Sequence, residues 1–501
     1  MKRNLAKIIA VVMTAAMLAA CGNGGTANNN NDTQTPGPTD TNNNVTEGTG
    51  EGDGNQDRYD VFGRPLFDEL GRPATAGFAE TPMDLRGRNI HIVTTANYFL
   101  FNYWLVVDET PNETLAVMAK MRDIMEDYNI GDFTFEVAPA QAGLHSVLLL
   151  NRMAGDSPID LVNMGLTHTN KVPFIQQDLY MDLTHPSISG IMGLDTQPWA
   201  EAGKLTTMGG RQYGVHFLMA NSGELLRSVF TFNRTYMETF NLGNFYDMVF
   251  NRTWTWDAFE TICINLVQAS GGTVTPIAMR RESEITPNFM KANGGYAVRQ
   301  TPTGFEFVGD TNDAFLEALD FLVRLSQNGF IVTDVDRAWH RAAAGEFMFL
   351  PGLYEPLRQF TRQEIQTEFN WGLLPTPIGP RMDDFVSAQF AADMWFIVNE
   401  IDRPEEIAAV LVALANRLSK INIIETELNY GLQDEESAII MEMLLERIVV
   451  DYSRAAGGAR NRQTDAVNAA LNGSMTPVQA LQQFGPQIQQ SLDEARLLER
   501  D

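Results

Sequence analysis

Histidine and cysteine, which serve as transition-metal ligands and catalytic groups, are few in this 501-residue chain. The six histidines stand at positions 91, 145, 168, 185, 216 and 340. They form no His-Glu-x-x-His pair and no spacing that would place two imidazole ligands on one helix turn, so a zinc enzyme is not expected. The two cysteines, Cys21 and Cys263, are too few for a disulfide framework or a thiolate cluster. Cys263 lies in an apolar run and is predicted to be a buried core thiol.

Motifs that would bring a cofactor or a catalytic serine are also missing from the sequence. It contains no phosphate loop, no Gly-x-Gly-x-x-Gly after a strand and no Gly-x-Ser-x-Gly elbow. Asp310-Thr311-Asn312-Asp313 has calcium-loop spacing but lacks the later glycine and glutamate, so it predicts a helix N-cap instead. We therefore expect no cofactor, no metal site and no enzymatic activity. A pair of glycosidase carboxylates stays open, because its members can lie far apart in the chain.

Strands and helices that could position a site alternate along the first part of the chain. The sequence pattern predicts a strand at residues 88–95 and a second strand at 133–138. Between them, apolar residues at helical spacing predict a helix at 113–128. This order indicates a βαβ unit and a parallel sheet, which a helix at 142–155 and a strand at 159–164 continue. Ligand sites in such sheets lie beyond the carboxyl ends of the strands.

The remaining chain continues the α/β pattern. Helices are predicted at 256–269, 312–328, 403–418, 435–452 and 476–498, and strands at 229–232 and 396–398. The length exceeds the roughly 250–300 residues that one hydrophobic core usually serves, so at least two lobes are expected. The net charge of -27 repels nucleic-acid phosphates, and nucleic-acid binding is not expected.

The N-terminus predicts export. Basic residues within the first seven positions precede an apolar run at 8–20, the layout of a signal peptide (1–20). Residues 18–21, Leu-Ala-Ala-Cys, resemble a bacterial lipobox, so Cys21 is predicted to be lipidated and to hold the protein on the extracytoplasmic face of a bacterial cell membrane. Residues 21–57, rich in Asn, Gly and Thr, predict a disordered tether, and 58–87 a surface lead-in segment.

A set of ordered motifs resembles the family 1 extracellular solute-binding proteins of ABC importers, the group that includes the maltose-binding protein. The matching segments are RQYGVHF (211–217), FNRTYM (232–237), TWTWDAF (253–259), GEFMF (345–349), WGLLPTP (371–377), residues 397–399 with 403–408, and LNGSMTPVQAL (471–481). The chain departs from the family pattern at His216 (proline), Phe232 (tyrosine), Arg234 (lysine) and Ala258 (glutamate).

The resemblance implies a two-lobed type II periplasmic-binding-protein-like α/β fold, each lobe a mainly parallel sheet flanked by helices. It implies lobe I at 88–214 plus 388–428 and lobe II at 215–387 plus 429–501, joined by hinge-crossing segments. A monomer of this kind closes on a carbohydrate in the cleft and delivers it to the ABC permease in the membrane.

Ligand-binding candidates follow from the resemblance and from the chemistry of sugars, which need aromatic platforms and polar side chains. They are Asn97, Tyr98, Trp104, Asn163, Asn221, Tyr354, Asp393 and Trp395. Tyr354 is the preferred ring, although Leu353 replaces a proline of the family pattern. For each ring a core-packing role is an equal alternative, and for each polar residue a cap or turn.

Two other classes of function stay open at this point. One is a binder of peptide or another polar solute, since a fold does not fix its ligand. The other is a secreted polysaccharide-active enzyme or a surface adhesion module. A carboxylate pair with a raised pKa in the cleft would favour the enzyme, and a long flat groove would favour adhesion.

Overall fold

The computed structural model describes most of the chain from residue 79 onward, within the unit formed by residues 57–501. The described residues are 79–94, 112–138, 141–154, 159–165, 174–175, 177–194, 201–217, 228–279, 285–301, 304–333, 335–352, 354–389, 393–418, 432–445, 447–455 and 457–497. The predicted signal peptide, the lipidation site at Cys21 and the predicted tether lie outside them.

The first of two large sheets has five strands. They are β1 (Arg88–Thr94), β2 (Ile130–Val137), β3 (Leu161–Gly165), β6 (Gly214–Val215) and β15 (Asp393–Ile397), in the order β2-β1-β3-β15-β6. β1 pairs in parallel with β2 and β3, whereas β15 runs antiparallel to β3 and β6. The sheet is therefore mainly parallel, with one reversed strand.

Helices cover both faces of the first sheet. They are α1 (Asn112–Asp127), α2 (Gln141–Ala154), α3 (Ser189–Met192) and α11 (Pro404–Leu418). Ile90 and Ile92 face a core shared with α1 and α11, whereas Val93 faces the core of α2. This opposition follows from the two-residue alternation of a strand.

The second large sheet also has five strands. They are β7 (Val229–Asn233), β8 (Thr275–Ala278), β11 (Ile331–Val332), β12 (Phe347–Pro351) and β13 (Trp371–Pro375), in the order β11-β8-β12-β7-β13. Only β7 runs against the others in this sheet. Buried rings, among them Trp254, Phe259 and Phe349, form a continuous aromatic core beneath it.

The remaining elements surround these sheets. The helices are α4 (Arg234–Thr239), α5 (Phe245–Phe250), α6 (Trp256–Ala269), α7 (Thr286–Ala292), α8 (Asp313–Gln327), α9 (Ala338–Ala343), α10 (Glu355–Thr361), α12 (Glu435–Leu445), α13 (Gly457–Leu471) and α14 (Pro477–Leu497). The two-stranded sheets are β4 (Thr207–Met208) with β5 (Arg211–Gln212), β9 (Val298–Thr301) with β10 (Gly304–Phe307), and β14 (Ser387–Gln389) with β16 (Ile448–Val450). Within the described part of the chain, no helix has both the length and the apolar character needed to cross a membrane.

Several helices begin where the sequence predicts. The hydroxyl of Thr255 accepts the amide of Ala258, and Asn312 Oδ1 accepts that of Phe315, so both residues are N-caps. The Asn312 cap confirms that the 310–313 segment starts a helix. Thr476 and Gln479 bond each other reciprocally as a capping box before Pro477, the first residue of α14.

Other element boundaries correct the sequence-based expectations. The helix predicted at 435–452 ends at Leu445, because β-branched Ile448, Val449 and Val450 pair with β14 as a strand. The strand predicted at 396–398 begins earlier, at Asp393. Helix α13 was not predicted at all, since its core contacts are largely alanines and its apolar period is weak.

Residues 79–87 are attached to the first sheet side of the molecule. Leu85 is buried, and its amide donates to the carbonyl of Tyr128 at 2.9 Å. The Glu80 carboxylate accepts hydrogen bonds from Arg417, from Asn416 and from the hydroxyl of Tyr128. We call these four side chains the Glu80 clasp. Burial works to raise the pKa of Glu80, but the hydrogen bonds from Arg417, Asn416 and Tyr128 outweigh it and lower that pKa.

Candidate functional site

The carboxyl ends of β1 and β3 lie at one edge of the first sheet, where β15 begins. Thr94 pairs with Asn163, and Asn163 pairs with Trp395. Residues directly opposite each other in neighbouring strands project from the same face, so the three side chains form a row across the sheet. We call Thr94, Asn163 and Trp395 the edge row. The fold thus brings together two predicted site residues that are 232 positions apart in the chain (163 and 395).

Asn163 is the polar centre of the edge row. Its side chain is 1 % exposed, and its Oδ1 accepts a hydrogen bond from Thr94 Oγ1 at 3.3 Å. Its Nδ2 donor has no acceptor among the described residues. A buried amide without a partner costs about 1–3 kcal/mol, so this position stores a donor that a bound acceptor oxygen would satisfy.

Trp395 gives the edge row an aromatic wall. Its ring is 1 % exposed and stacks on Phe217, with ring centroids 5.6 Å apart and planes 17° from parallel. Phe217 follows β6, the strand that pairs with β15. The indole is therefore held rigidly beside Asn163. Most of its surface is already buried against neighbouring side chains. Asp393 opens β15 opposite Gly165, at the same edge, and its side chain is outside the described set.

Tyr354 lies at the corresponding edge of the second sheet. β12 ends at Pro351, the amide of Gly352 donates to the carbonyl of Val229 at 2.8 Å, and Tyr354 then precedes α10 as its N-cap residue. The ring is 2 % exposed and belongs to the main apolar core. Tyr354 is thus at the carboxyl end of its strand, as predicted, with its ring packed inward. Its role in ligand binding stays a prediction.

The other predicted site residues cannot be placed. Asn97, Tyr98, Trp104 and Asn221 lie outside the described residues. The segments that hold them follow the carboxyl end of β1 and the strand β6.

Sequence reasoning missed two members of this edge. Thr94 was read only as the polar end of a strand, and Phe217 only as part of the 211–217 motif. The alternation of β1 places Thr94 on the face of Ile90 and Ile92, a signal that was present in the sequence. The pairing of Phe217 with Trp395 is a long-range contact that no local pattern reveals.

The strongest buried charge cluster lies at the opposite end of the first sheet. Asp160, which directly precedes β3, accepts from Arg88 Nη2 at 2.6 Å and from the His91 amide at 2.8 Å. Glu406 pairs with Arg88 from α11. Burial raises the pKa of the Asp160 carboxyl, against the lowering effect of its bonds to His91 and Arg88. This cluster ties the amino ends of β1 and β3 to α11 and is remote from the edge row.

Metal ligation finds no support in the described chain. Over those residues, no group of three or more His, Cys, Asp or Glu side chains is arranged to hold a metal ion. Cys263 is fully buried in α6, as predicted, and burial raises the pKa of its thiol, which keeps it protonated and inert.

Sequence comparisons find no relative for this chain, whereas structural comparisons do. No family model and no curated protein sequence matches it. The sugar-binding protein MalE of the phytopathogen Xanthomonas citri matches with a TM-score of 0.56 at 15% identity, over 82% of this chain and 100% of that one. The fold is that of the type II periplasmic binding proteins. The resemblance seen in the sequence motifs is confirmed at this level.

Two further solved structures show the range of ligands held by this fold. The cyclic alpha-maltosyl-1,6-maltose binding protein of Arthrobacter globiformis matches with a TM-score of 0.55 at 13% identity, over 84% of this chain and 100% of that one. UgpB of Mycobacterium tuberculosis, in complex with glycerophosphocholine, matches with a TM-score of 0.53 at 14% identity, over 76% and 96%. Sequence identities this low indicate a shared fold but do not indicate a shared ligand.

Proposed function

We propose that this chain is an extracytoplasmic solute-binding lipoprotein of an ABC importer. It captures a carbohydrate, of oligosaccharide size, between the carboxyl edges of its two large sheets and delivers it to a membrane permease. The signal-peptide layout and Cys21 support export and lipid anchoring. The type II fold and the sugar-binding proteins that share it support the ligand class.

The edge row is the observation that carries the proposal. Ligands of open α/β sheets bind beyond the carboxyl ends of the strands, and the edge row lies at such an end. Sugars present hydroxyl oxygens that accept hydrogen bonds and C–H faces that pack on rings. The Nδ2 donor of Asn163, which has no acceptor in the described part of the chain, lies next to Trp395 and offers the first kind of contact beside an aromatic neighbour.

Closure of the two sheets on the ligand is the proposed mechanism. The chain passes between elements of the first and second sheets between 217 and 228, between 389 and 393, and between 418 and 432. Lobe I is proposed at 88–214 plus 388–428 and lobe II at 215–387 plus 429–501. Closure of lobe II on lobe I would bring Tyr354 and its neighbours toward the edge row and exclude water from the solute.

Capture without chemistry fits the position of Asp160. Asp160, whose pKa is raised by burial, lies at the amino end of the strands and is bonded by Arg88, so it is badly placed to act as a general acid on a ligand at the edge row. A polar solute other than a sugar is the second candidate, because UgpB holds glycerophosphocholine in the same fold.

A thermal-shift screen of the protein without its signal peptide tests the proposal. Ligands would include mono- and oligosaccharides, short peptides and glycerophosphodiesters, each recovered afterwards for chromatography. A ligand at 100 times its Kd should stabilise the native state by about 2.7 kcal/mol. Stabilisation by a sugar that is recovered unaltered supports the carrier. If only a peptide or a glycerophosphodiester stabilises the protein, the ligand belongs to that class and not to the sugars. If the sugar is consumed, the protein is an enzyme instead of a carrier.

A further inference from the structure

A partly desolvated lysine lies where the second sheet meets the chain that crosses to the first. α7, which carries Lys291, follows the carboxyl end of β8 and packs against β14. β14 runs parallel to β16, and Gln389 at the end of β14 pairs with Val450 at the end of β16. Asp451 follows Val450 directly, and its charge acts on the Lys291 amine. The amine is therefore close to the ends of both short strands.

These strand ends adjoin the carboxyl edge of the first sheet. Val450 is buried in one core with Met394 of β15. β15 begins at Asp393, four residues after Gln389, and four residues of extended chain span at most about 14 Å. Lys291 therefore lies near the region beyond the carboxyl edges of both large sheets, where the solute is proposed to bind.

Lys291 lies in a recess, and neither on an open surface nor within a core. Desolvation lowers the pKa of its amine, and the charge of Asp451 opposes this effect. The side chain is nevertheless only half-buried. A group that has lost much of its water but stays accessible lies at the bottom of a concave surface. The Tyr296 ring forms one wall, with its centroid 5.8 Å from Lys291 Nζ. We call Lys291, Tyr296 and Asp451 the lysine recess.

The two charges of the lysine recess do not bond each other. Both carboxylate oxygens of Asp451 accept from Ser453, one from its amide at 3.2 Å and the other from its hydroxyl at 2.7 Å. Among the described residues, the Lys291 amine donates to no acceptor and forms no close ion pair. A lysine that served only to hold the two short strands would be expected to bond Asp451 directly. Its three donors are instead available to a bound group.

An anion is the group that gains most from such an amine. Opposite charges attract more strongly in a partly desolvated recess than in water, and hydrogen bonds with a charged partner are roughly twice as strong as neutral ones. The net charge of -27 does not prevent this, because exposed charges farther than about 8 Å away are largely screened at physiological salt. The Tyr296 ring next to the amine offers a face for the C–H groups of a sugar.

We propose that the lysine recess binds an anionic group, a carboxylate or a phosphate, of the solute that the cleft captures. Lys291 donates to the oxygens of this group, and Tyr296 packs against the adjoining sugar ring. The charge of Asp451 favours the protonated amine. This inference rests on the proposed function, because it assigns a ligand class to the same cleft: an acidic oligosaccharide or a sugar phosphate in place of a neutral sugar.

Calorimetric titration with matched pairs of sugars tests the recess. The acidic probes are trisaccharides of galacturonate, mannuronate and glucuronate, and each is paired with its methyl ester, which keeps the rings and removes the charge. Maltose 1-phosphate and maltose form the phosphate pair. In at least one pair the acidic sugar should bind about tenfold or more tightly than its neutral partner, because only the acid forms a charged hydrogen bond with Lys291. Preference for a uronate or for the phosphate identifies the source of the anion.

Three variants show whether Lys291 causes the preference. Lys291→Met keeps the apolar stem and removes the ammonium, so the acidic and neutral partners should then bind within about twofold of each other. Lys291→Arg keeps the charge and should keep a preference for the acid. Lys120→Met removes the same charge from an exposed position on α1 and should leave the preference unchanged. Thermal unfolding checks that each variant folds.

The outcomes separate this inference from the proposed function. If neutral sugars bind the native protein as tightly as acidic ones, or if Lys291→Met leaves the preference intact, the inference is wrong and the sugar carrier stands. Equal losses of preference in Lys291→Met and Lys120→Met would also overturn it, because the preference would then come from the general charge of the protein. If no sugar and no sugar phosphate binds, the carbohydrate ligand and this inference are both refuted.

Discussion

Asn163 combines two properties that rarely occur together at one residue. It is buried to 1 % exposure, yet its Nδ2 donor has no acceptor among the residues that the structure describes. Natural cores satisfy almost all buried amides, because an orphan donor costs about as much as a hydrogen bond contributes. This donor lies at the carboxyl edge of a parallel sheet, beside a stacked tryptophan, which is why Asn163 is the first residue to test in the proposed ligand site.

Replacement of Asn163 by alanine should weaken ligand binding with little effect on folding. Loss of one hydrogen bond to a neutral hydroxyl amounts to about 0.5–1.5 kcal/mol, or roughly a two- to twelvefold higher Kd. Loss of the hydrogen bond from Thr94 lowers the free energy of unfolding, whereas removal of the unpaired Nδ2 donor raises it. The two effects oppose each other. Calorimetric titration with the ligand found in the screen measures the Kd, and circular dichroism measures the melting temperature.

Thr231→Val supplies the control for that measurement. Thr231 is fully buried in β7, and its hydroxyl also has no partner among the described residues, but it lies in the second sheet and not in the edge row. The isosteric valine should leave the Kd unchanged and should not lower the melting temperature, because an unsatisfied hydroxyl is removed. An unchanged Kd for Asn163→Ala would exclude Asn163 from the site.

At the residue scale the sequence predicted only part of the site. Asn163 and Trp395 could be found because polar residues beyond a buried strand and aromatics near a crossing are local signals. Their direct pairing depends on β15 inserting between β3 and β6, a contact across 232 positions (163 to 395) that no local pattern specifies. Tyr354 was named from the position of an aromatic platform in the family that the sequence resembles, and the burial of its ring depends on how the whole second core packs.

Among the elements, the segment 79–87 shows how a polar stretch can be ordered by a few contacts. Leu85 is buried in the core and Met83 packs partly buried against it. The Glu80 clasp and a hydrogen bond from Asn129 Nδ2 to Asp84 at 2.7 Å add polar attachments at the ends of α1 and α11. The sequence predicted a surface lead-in over 58–87 because its composition is mixed and interrupted by three prolines and several glycines. The clasp could not be foreseen, since Arg417 lies 337 positions downstream.

Glu80→Gln should loosen this segment and leave the sheets intact. Loss of the charged hydrogen bonds, about 1–3 kcal/mol, corresponds to roughly 5- to 150-fold faster amide exchange where opening is local. The amides to follow are those of Leu85 and Gly87, which donate to Tyr128 and Asn129. Hydrogen exchange read by mass spectrometry provides the measurement, with Glu364→Gln as the control of equal charge. Unchanged protection at both amides would mean that Leu85 alone orders the segment.

The same clasp predicts a pH dependence. The pKa of Glu80 is lowered on folding from its ordinary value of 4.5, so the ionised form stabilises the native state. That contribution is complete above the unfolded-state pKa and is lost as the pH falls through the lower, folded-state pKa. Protection of 79–87 should therefore decline below about pH 4.5 in the native sequence, and the Glu80→Gln protein should lack this step.

Regular elements with strong periodicity were the most predictable part of the fold. α6 matches its predicted range residue for residue, and α1, α2, α8, α11 and α14 lie within one residue at each end. The failure at 435–452 has a tertiary cause: residues 448–450 are apolar enough to continue a helix pattern, and only the presence of β14 makes them a strand. Periodicity therefore specifies an isolated helix well and a strand with a distant partner poorly.

At the scale of the whole molecule, the proposed closure concerns the places where the chain passes between the two large sheets. The chain leaves the second sheet side through β14, which pairs with β16, and enters β15 of the first sheet a few residues later. β14 and β16 form a short parallel pair of three residues each next to this passage. Each large sheet, by contrast, is fixed by its own helices and should move as a unit.

Ligand binding should therefore change the shape of the molecule as well as its stability. Small-angle scattering should show a radius of gyration that falls as ligand is added, and the fall should reach half its amplitude at the Kd measured by calorimetry. For Asn163→Ala the same fall should require a ligand concentration higher by the factor lost in affinity, because the variant weakens binding and leaves the hinge intact. A rise in melting temperature with no change in the radius of gyration would keep the binding site and refute closure, and it would indicate two sheets held at a fixed angle around a preformed cleft.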